Sequence, residues 1–160
     1  MTANQRSTHL AAHLTVRRFA ADDAQAVDEI AKRSPEAAQW SRIAYEELER
    51  QPKYLAWVVE IAGCICGFLV AIIAADQGEI LNLAVDPDYR RARLADALLN
   101  QACAEFQQLR IDTIYLEVRE SNFAALRLYE RHGFARAGER KHYYREPIEG
   151  AVLMIKKLTA

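Results

Sequence analysis

The most informative stretch of the chain is Leu116-Glu-Val-Arg-Glu-Ser-Asn-Phe-Ala-Ala-Leu-Arg-Leu-Tyr-Glu-Arg-His-Gly-Phe134. Aliphatic residues occupy every second position from 113 to 118, which predicts a strand with Glu117 on the face opposite its aliphatic side chains. A short helix is predicted over 122–132, and the glycine after it is a helix stop, because glycine adopts the left-handed conformation at low cost. The stretch therefore predicts a strand, a tight turn and a helix, with Glu117 on the strand and Tyr129 on the helix.

Upstream of this stretch, the hydrophobic period changes from that of a strand to that of a helix. A strand is predicted over 79–85, and helical spacing of apolar residues follows from Arg91 to Leu109. Together with the strand over 113–118, this gives a strand–helix–strand unit. Such a unit predicts two parallel strands joined by a right-handed crossover.

The remaining segments extend the same sheet. Strands over 54–60 and 64–74 are separated from each other and from 79–85 by short turns, which indicates antiparallel pairing. The other predicted elements are a strand over 14–19, helices over 24–33 and from Ser41 to about Arg50, and strands over 134–144 and 151–158. The sum is an α+β domain whose mixed central sheet has six or seven strands, flanked by about four helices.

Composition limits the classes of protein to which the chain can belong. The chain has 160 residues, 51% of them hydrophobic, and a formal net charge of −1. These values predict one domain over 13–160 preceded by a flexible tail over 1–12, and they argue against direct nucleic-acid binding. The longest apolar run, 68–75, is too short to span a membrane, and no export signal is evident, so we expect a cytoplasmic protein without membrane attachment.

Three cysteines argue against both a disulfide framework and a metal site. Cys64 and Cys66 are two residues apart, and neither a further cysteine nor a histidine near them completes a metal-binding set. We interpret them as two small buried hydrophobic residues of a strand and predict no metal.

A cationic turn stands where the strand over 79–85 gives way to the following helix. Arg90, Arg91 and Arg93 crowd this turn. A helix start offers free backbone N–H groups and the positive end of the helix dipole, which suits a phosphate. The alternative is a basic turn that is merely solvated. It is disfavoured, because cations at this end of a helix oppose the helix dipole unless an anion lies nearby.

This turn resembles the GNAT acyltransferase superfamily, in which a strand ending in Val-Asp-Pro precedes an Arg or Gln, two variable residues, Gly, an aliphatic residue, and Gly or Ala. The resemblance implies that Leu83, Ala84 and Val85 contact the pantetheine of acetyl-CoA. It also implies that backbone amides of the turn hold the pyrophosphate, with Arg90, Arg91, Ala92, Arg93, Leu94 and Ala95 at the matching positions. Arg93 departs from the family's glycine, and it either adds a cation for the pyrophosphate or crowds it.

The stretch 116–134 resembles the other cofactor-side motif of this superfamily. Acyl transfer needs a neutral amine, and Glu117 can accept the proton directly or through a water molecule. Tyr129 can protonate the departing thiolate, and Asn122 can cap the helix and hydrogen-bond the cofactor. Each of these residues alone also fits an ordinary structural role; the joint match favours function.

Within the superfamily, the chain is most similar to the ribosomal-protein-alanine N-acetyltransferases. Trp40-Ser41 and the pair Tyr143-Tyr144, followed by Glu149-Gly150-Ala151, carry this resemblance. It implies that Trp40, Tyr143 and Tyr144 line a peptide groove, although the tyrosines also fit interleaved strand aromatics. His142 is a second candidate base.

These observations predict an acetyl-CoA-dependent N-acetyltransferase whose acceptor is the N-terminal amine of a protein, such as a ribosomal protein. The amine attacks directly, since no cysteine or serine lies beside a base. Two alternatives stay open at this point: a lysine or small-amine acceptor, and a non-catalytic acyl-CoA-binding domain, the latter suggested by Arg93.

Overall fold

A computed structural model describes residues 13–158, so the predicted tail over 1–12 lies outside the described residues. These form a seven-stranded mixed sheet in the order β1-β2-β3-β4-β5-β7-β6 and four α-helices. The strands are β1 Leu14–Arg18, β2 Tyr54–Ile61, β3 Cys64–Ala74, β4 Gln77–Val85, β5 Thr113–Arg119, β6 Ala135–Arg145 and β7 Ile148–Lys157. The helices are α1 Ala24–Lys32, α2 Arg42–Glu46, α3 Leu94–Gln108 and α4 Phe123–Arg131. The predicted mixed sheet is confirmed.

Pairing follows the predicted scheme, with β4 and β5 parallel and the other neighbours antiparallel. The two faces of the sheet carry separate cores. α3 and α4 cover one face, where Leu98, Phe106 and Leu116 are buried. α1 and α2 cover the other face, where Tyr45 and Phe68 are buried.

Three predicted helix and strand boundaries are wrong. α3 begins at Leu94 rather than Arg91, because Arg91 and Arg93 have positive φ angles of 67° and 59°, which a helix cannot include. The helix expected to run from Ser41 to Arg50 is a five-residue α2 followed by a separate 3₁₀ turn over Leu48–Arg50. β7 begins at Ile148, so the connection between the last two strands is shorter than the predicted 146–150.

The prediction that two buried cysteines share a strand face is also wrong. Cys66 is buried, whereas Cys64 is exposed. The register of β2 against β3 passes from Ile65 opposite Glu60 to Gly67 opposite Val59, so Cys66 is the extra residue of a β-bulge. The bulge breaks the alternation on which the prediction depended. Among residues 13–158, no cluster of His, Cys, Asp or Glu could hold a metal ion.

A second bulge, in β4, sets the geometry of the sheet centre. Val70 of β3 pairs with Asn82 and Ala71 pairs with Ile80, which leaves Leu81 as the extra residue. Ile80 therefore packs in the core under α3, while Ala84 packs in the core under α1. Beyond the bulge, β4 stays with β3 and leaves β5. None of the helices in 13–158 is long and apolar enough to cross a membrane.

Candidate active site

The two parallel strands at the sheet centre separate into a wedge. β4 and β5 pair only from Gln77–Thr113 to Ile80–Leu116. Past this point β4 remains paired with β3 as far as Val85, and β5 remains paired with β7 as far as Arg119. The edge of β4 over 81–85 therefore has no strand partner on the β5 side. This open edge is the feature that a bound chain of hydrogen-bonding groups, such as pantetheine, can pair with.

Beyond the C-terminal end of β4, the start of α3 presents unpaired backbone donors. The N–H groups of Leu94, Ala95 and Asp96 find no hydrogen-bond acceptor among residues 13–158, as expected for the first turn of a helix. Arg93 occupies the N-cap position, where its side chain makes no capping hydrogen bond. Four of the predicted phosphate-loop residues, Ala92 to Ala95, thus surround an uncapped helix N-terminus that fits a diphosphate.

The three arginines of this turn do not act alike. The guanidinium of Arg90 is ion-paired with Glu36, in the loop between α1 and α2. Arg91 and Arg93 are exposed and form no ion pair within the described chain. The structure therefore leaves two of the three predicted cations free for a phosphate group.

The residues predicted to contact pantetheine line the wedge from β4. Leu83 and Val85 are half-buried and pack toward α3, whereas Ala84 is buried on the opposite face, under α1. Leu83 and Val85 thus flank the open strand edge, and Ala84 offers its backbone only.

Tyr129 of α4 lies on the α3 side of the sheet with its ring edge-on to Phe134, at a centroid distance of 5.6 Å. Only 7% of the residue is exposed, and burial raises the pKa of its phenol well above the usual range. The hydroxyl makes no hydrogen bond to any residue in 13–158. Among residues 13–158, Ser34 Oγ is the one fully buried side-chain oxygen or nitrogen without a partner. The unpartnered Tyr129 hydroxyl is therefore not fully buried and retains some contact with solvent. A neutral, unpaired phenol is a ready proton donor.

Glu117 of β5 has 15% of its side chain exposed and lies among three groups from β6. Arg140 Nε lies 3.2 Å from its Oε1, and the interaction of the Tyr143 hydroxyl with its carboxylate raises the pKa of Tyr143. Tyr144 is half-buried next to Glu117, and burial together with this negative charge raises the pKa of Tyr144 to about 12. Tyr144 also interacts electrostatically with Tyr129.

The structure therefore places Glu117 beside the two tyrosines of β6, and Tyr144 in turn within electrostatic reach of Tyr129, which lies on the other face of the sheet. It does not bring Trp40 to them. Trp40 is half-buried and stacks on Tyr45 at 5.5 Å, in the core under α1. Asn122 caps α4 as predicted, its Oδ1 accepting from Ala125 N at 3.2 Å. His142 is exposed on β6 with a φ of 54° and has no contact with Glu117 that would favour it as the base.

Three polar residues near the wedge were missed from sequence. Glu79 and Arg140 join the group around Glu117. Asn82 is 4% exposed, exchanges two hydrogen bonds with the backbone of Ala38, and donates to the Tyr45 hydroxyl. Asn82 thereby anchors the α1–α2 loop to the bulge in β4. The sequence did carry a signal for Asn82, because it is a lone asparagine within an otherwise aliphatic strand.

Comparison with known proteins decides the family. The model of the acetyltransferase (GNAT) family matches residues 24–134. The chain belongs to the GNAT acetyltransferase family. It is therefore an acetyl-CoA-dependent N-acetyltransferase, and the wedge with its uncapped helix start is suited to acetyl-CoA.

Similar proteins are known from Escherichia coli and from Thermoplasma volcanium. A ribosomal protein bS18-alanine N-acetyltransferase of Escherichia coli is 36% identical over 108 residues, which cover 68% of this chain and 72% of that protein. The crystal structure of the E. coli ribosomal-protein-S18-alanine N-acetyltransferase has a TM-score of 0.83 at 31% identity, covering 92% of this chain and 95% of that one. Ard1 from Thermoplasma volcanium has a TM-score of 0.84 at 25% identity, covering 92% and 99%.

Proposed function

We propose that this GNAT enzyme acetylates the N-terminal α-amine of a protein, and that the protein is a ribosomal one. The observation that carries the proposal is the cluster of Glu117, Tyr143 and Tyr144 where the wedge begins to open, with Tyr144 within electrostatic reach of Tyr129. The bS18-alanine N-acetyltransferases, the relatives with which the chain shares 31–36% identity, support the choice of acceptor.

The acceptor's own acidity favours an α-amine. An α-amine has a pKa near 7.7–8.0, so about a tenth of it is neutral at pH 7, whereas about 0.04% of a lysine side chain is neutral. A single half-buried carboxylate acting as the base suits the easier of these two deprotonations. Glu117 is placed to accept that proton at Oε1 or Oε2, directly or through a water molecule.

The donor side needs a proton as well. Acetyl-CoA, when bound, supplies the acetyl thioester. Residues 81–85 would hold its pantetheine, and residues 91–96, with Asn122, would hold its diphosphate. Tyr129 keeps its proton throughout the physiological pH range, because burial raises its pKa, and its unpaired hydroxyl can give that proton to the leaving sulfur. Glu117 and Tyr129 thus serve as base and acid, while Tyr143 and Tyr144 line the peptide side.

The proposal also covers the cellular compartment of the enzyme and the limits of its catalytic domain. The free cysteines Cys64, Cys66 and Cys103 fit a reducing cytoplasm, where ribosomal proteins are made. We propose a single catalytic domain over 13–160. Trp40 would affect the acceptor only indirectly, through the position of the α1–α2 loop, which Asn82 holds by its hydrogen bonds to Ala38.

The test is a competition among three amines. The enzyme and acetyl-CoA are incubated with an alanine-initiated hexapeptide that also contains a lysine, with the same peptide blocked at its N-terminus, and with spermidine. We expect mass spectrometry to locate a single acetyl group on the α-amine and none on the blocked peptide. Acetylation of the lysine in both peptides, or of spermidine alone, would assign the enzyme to a different acceptor class.

A further inference from the structure

A second carboxylate stands beside Glu117 on the neighbouring strand. Glu79 of β4 pairs in register with Tyr115 of β5, in the last stretch where the two strands remain together. Residues paired in register share a face, and so do residues two apart on a strand, so Glu79, Tyr115 and Glu117 all project from the same face. The two carboxylates therefore stand side by side where the wedge begins to open.

The charges around these carboxylates do not balance. Arg140 is the cation that acts on both of them, and it contacts Glu117 at 3.2 Å. The Tyr143 hydroxyl interacts chiefly with Glu117 and only weakly with Glu79. Glu79 itself forms no hydrogen bond and no ion pair within residues 13–158. Glu79 is exposed to solvent on one side, but partial desolvation and the charge of Glu117 raise its pKa despite Arg140. Two carboxylates and one guanidinium leave the group one positive charge short.

The incoming acceptor supplies that charge, because an α-amine arrives mostly as an ammonium ion at neutral pH. Building on the proposed function, we propose that Glu79 is a positioning residue that binds the α-ammonium of the acceptor next to Glu117. One ammonium N–H then donates to Glu79 and another faces Glu117. When Glu117 takes a proton from the ammonium and becomes a carboxylic acid, the amine is left neutral for attack.

This role predicts a separation between binding and chemistry. Loss of Glu79 removes a charge-assisted hydrogen bond to the charged acceptor and leaves base and acid in place. We expect Glu79→Gln to raise KM for the hexapeptide by about tenfold, with kcat changed less than about threefold. Glu139→Gln is the matched control, because Glu139 is an exposed carboxylate next to Arg140 on β6 that contacts neither Glu79 nor Glu117. It should change neither constant.

A second measurement excludes a purely structural effect. The acetylated hexapeptide is the product and has no positive α-amine, so its inhibition constant should be equal for the wild type and Glu79→Gln. Weaker binding of product as well as substrate would show that the groove is disturbed and would overturn the proposal, as would an unchanged KM. If the wild-type enzyme itself leaves the α-amine unmodified, the proposed function fails, which is a separate result.

Discussion

Arg140 Nε lies 3.2 Å from Glu117 Oε1, although the two residues stand on strands that are not neighbours. β7 runs between them, and its residue in register with Arg140 is Ala151. This short side chain lets the guanidinium reach across β7 to β5. The candidate base of the enzyme is therefore oriented by a side chain from the β6–β7 hairpin.

We expect this ion pair to orient Glu117 and to contribute little else. The Arg140 side chain is 61% exposed, and an ion pair of this kind is worth at most about 1 kcal/mol. Arg140→Gln should therefore change kcat/KM by less than about fivefold, whereas Glu117→Gln removes the base and should cost about 100-fold or more. Steady-state kinetics on the hexapeptide at pH 7 measure both. Equal losses from the two variants would show that Arg140 takes part in the chemistry.

The Tyr129 hydroxyl should matter for activity and not for stability. It makes no hydrogen bond to residues 13–158, so its removal gives up no protein partner. Tyr129→Phe should keep the wild-type Tm or exceed it, while kcat falls by about 100-fold or more because the thiolate loses its proton donor. Thermal denaturation and kinetics on the same preparation test this. A fall in Tm that parallels the fall in kcat would contradict it.

The strand and the helix that present Glu117 and Tyr129 could be predicted from the sequence because their relationship is local. Both lie in one stretch in which strand, turn and helix follow at fixed spacing, so the elements that present them are specified by neighbouring residues. The order of the elements was enough to predict the parallel pair of β4 and β5 and the mixed sheet. These parts of the fold depend on periodicity and turn residues alone.

The group around Glu79 could not be found in this way. Its members come from three strands, and their meeting depends on the register of β4 against β5 and on a reach across β7. The bulge at Leu81 has no sequence signal of its own, since strict alternation would place Ile80 and Ala84 on the same face. Long-range register and bulges are set by packing of the whole sheet.

Arg93 carries a backbone cost that a glycine would avoid. Its φ of 59° is in the left-handed region, where a non-glycine residue costs on the order of 1 kcal/mol. Arg93→Gly should therefore raise Tm by about 2 °C, and it should weaken acetyl-CoA binding several-fold because a free cation at the helix start is lost. Arg110→Gly, at the other end of α3 with a φ of 59°, is the control for strain alone. Tighter binding of acetyl-CoA by Arg93→Gly in calorimetry would show that Arg93 crowds the diphosphate.

Asp96, in the first turn of α3, should support the fold at neutral pH and not in acid. Burial raises the pKa of Asp96, but the hydrogen bond from His132 Nε2 at 2.7 Å and the pairing with Arg131 outweigh it and hold the pKa below the usual 3.8. A lowered pKa stabilises the folded state above the unfolded value, and this stabilisation disappears as the pH falls through the folded value. Asp96→Asn should lower the free energy of unfolding by about 1 kcal/mol at pH 7, a value that already allows for solvent screening. Urea unfolding should show the difference shrinking as the pH falls below 3.8; a constant difference would contradict this account.

Arg119, at the end of β5, should act on the acceptor side through Tyr144. Its guanidinium donates to Glu149 Oε1 at 3.0 Å and to the Glu146 carbonyl at 3.2 Å, and it lies 4.2 Å from the centre of the Tyr144 ring. These contacts fix the β6–β7 turn and the ring together, and a lysine cannot reproduce the planar fork that makes them. Arg119→Lys should therefore lower kcat/KM for the hexapeptide by about tenfold.

The double variant with Tyr144→Phe separates this positioning role from a general loosening of the hairpin. Removing the hydroxyl of Tyr144 leaves its ring, so Arg119 still stacks on it, but the phenol no longer lies beside Glu117 and Tyr129. If Arg119 acts by holding that phenol in place, the Arg119→Lys change should cost much less in the Tyr144→Phe background than in the wild type. The expected coupling energy is at least about 0.5 kcal/mol. Additive losses would show that Arg119 affects the acceptor by a route independent of Tyr144.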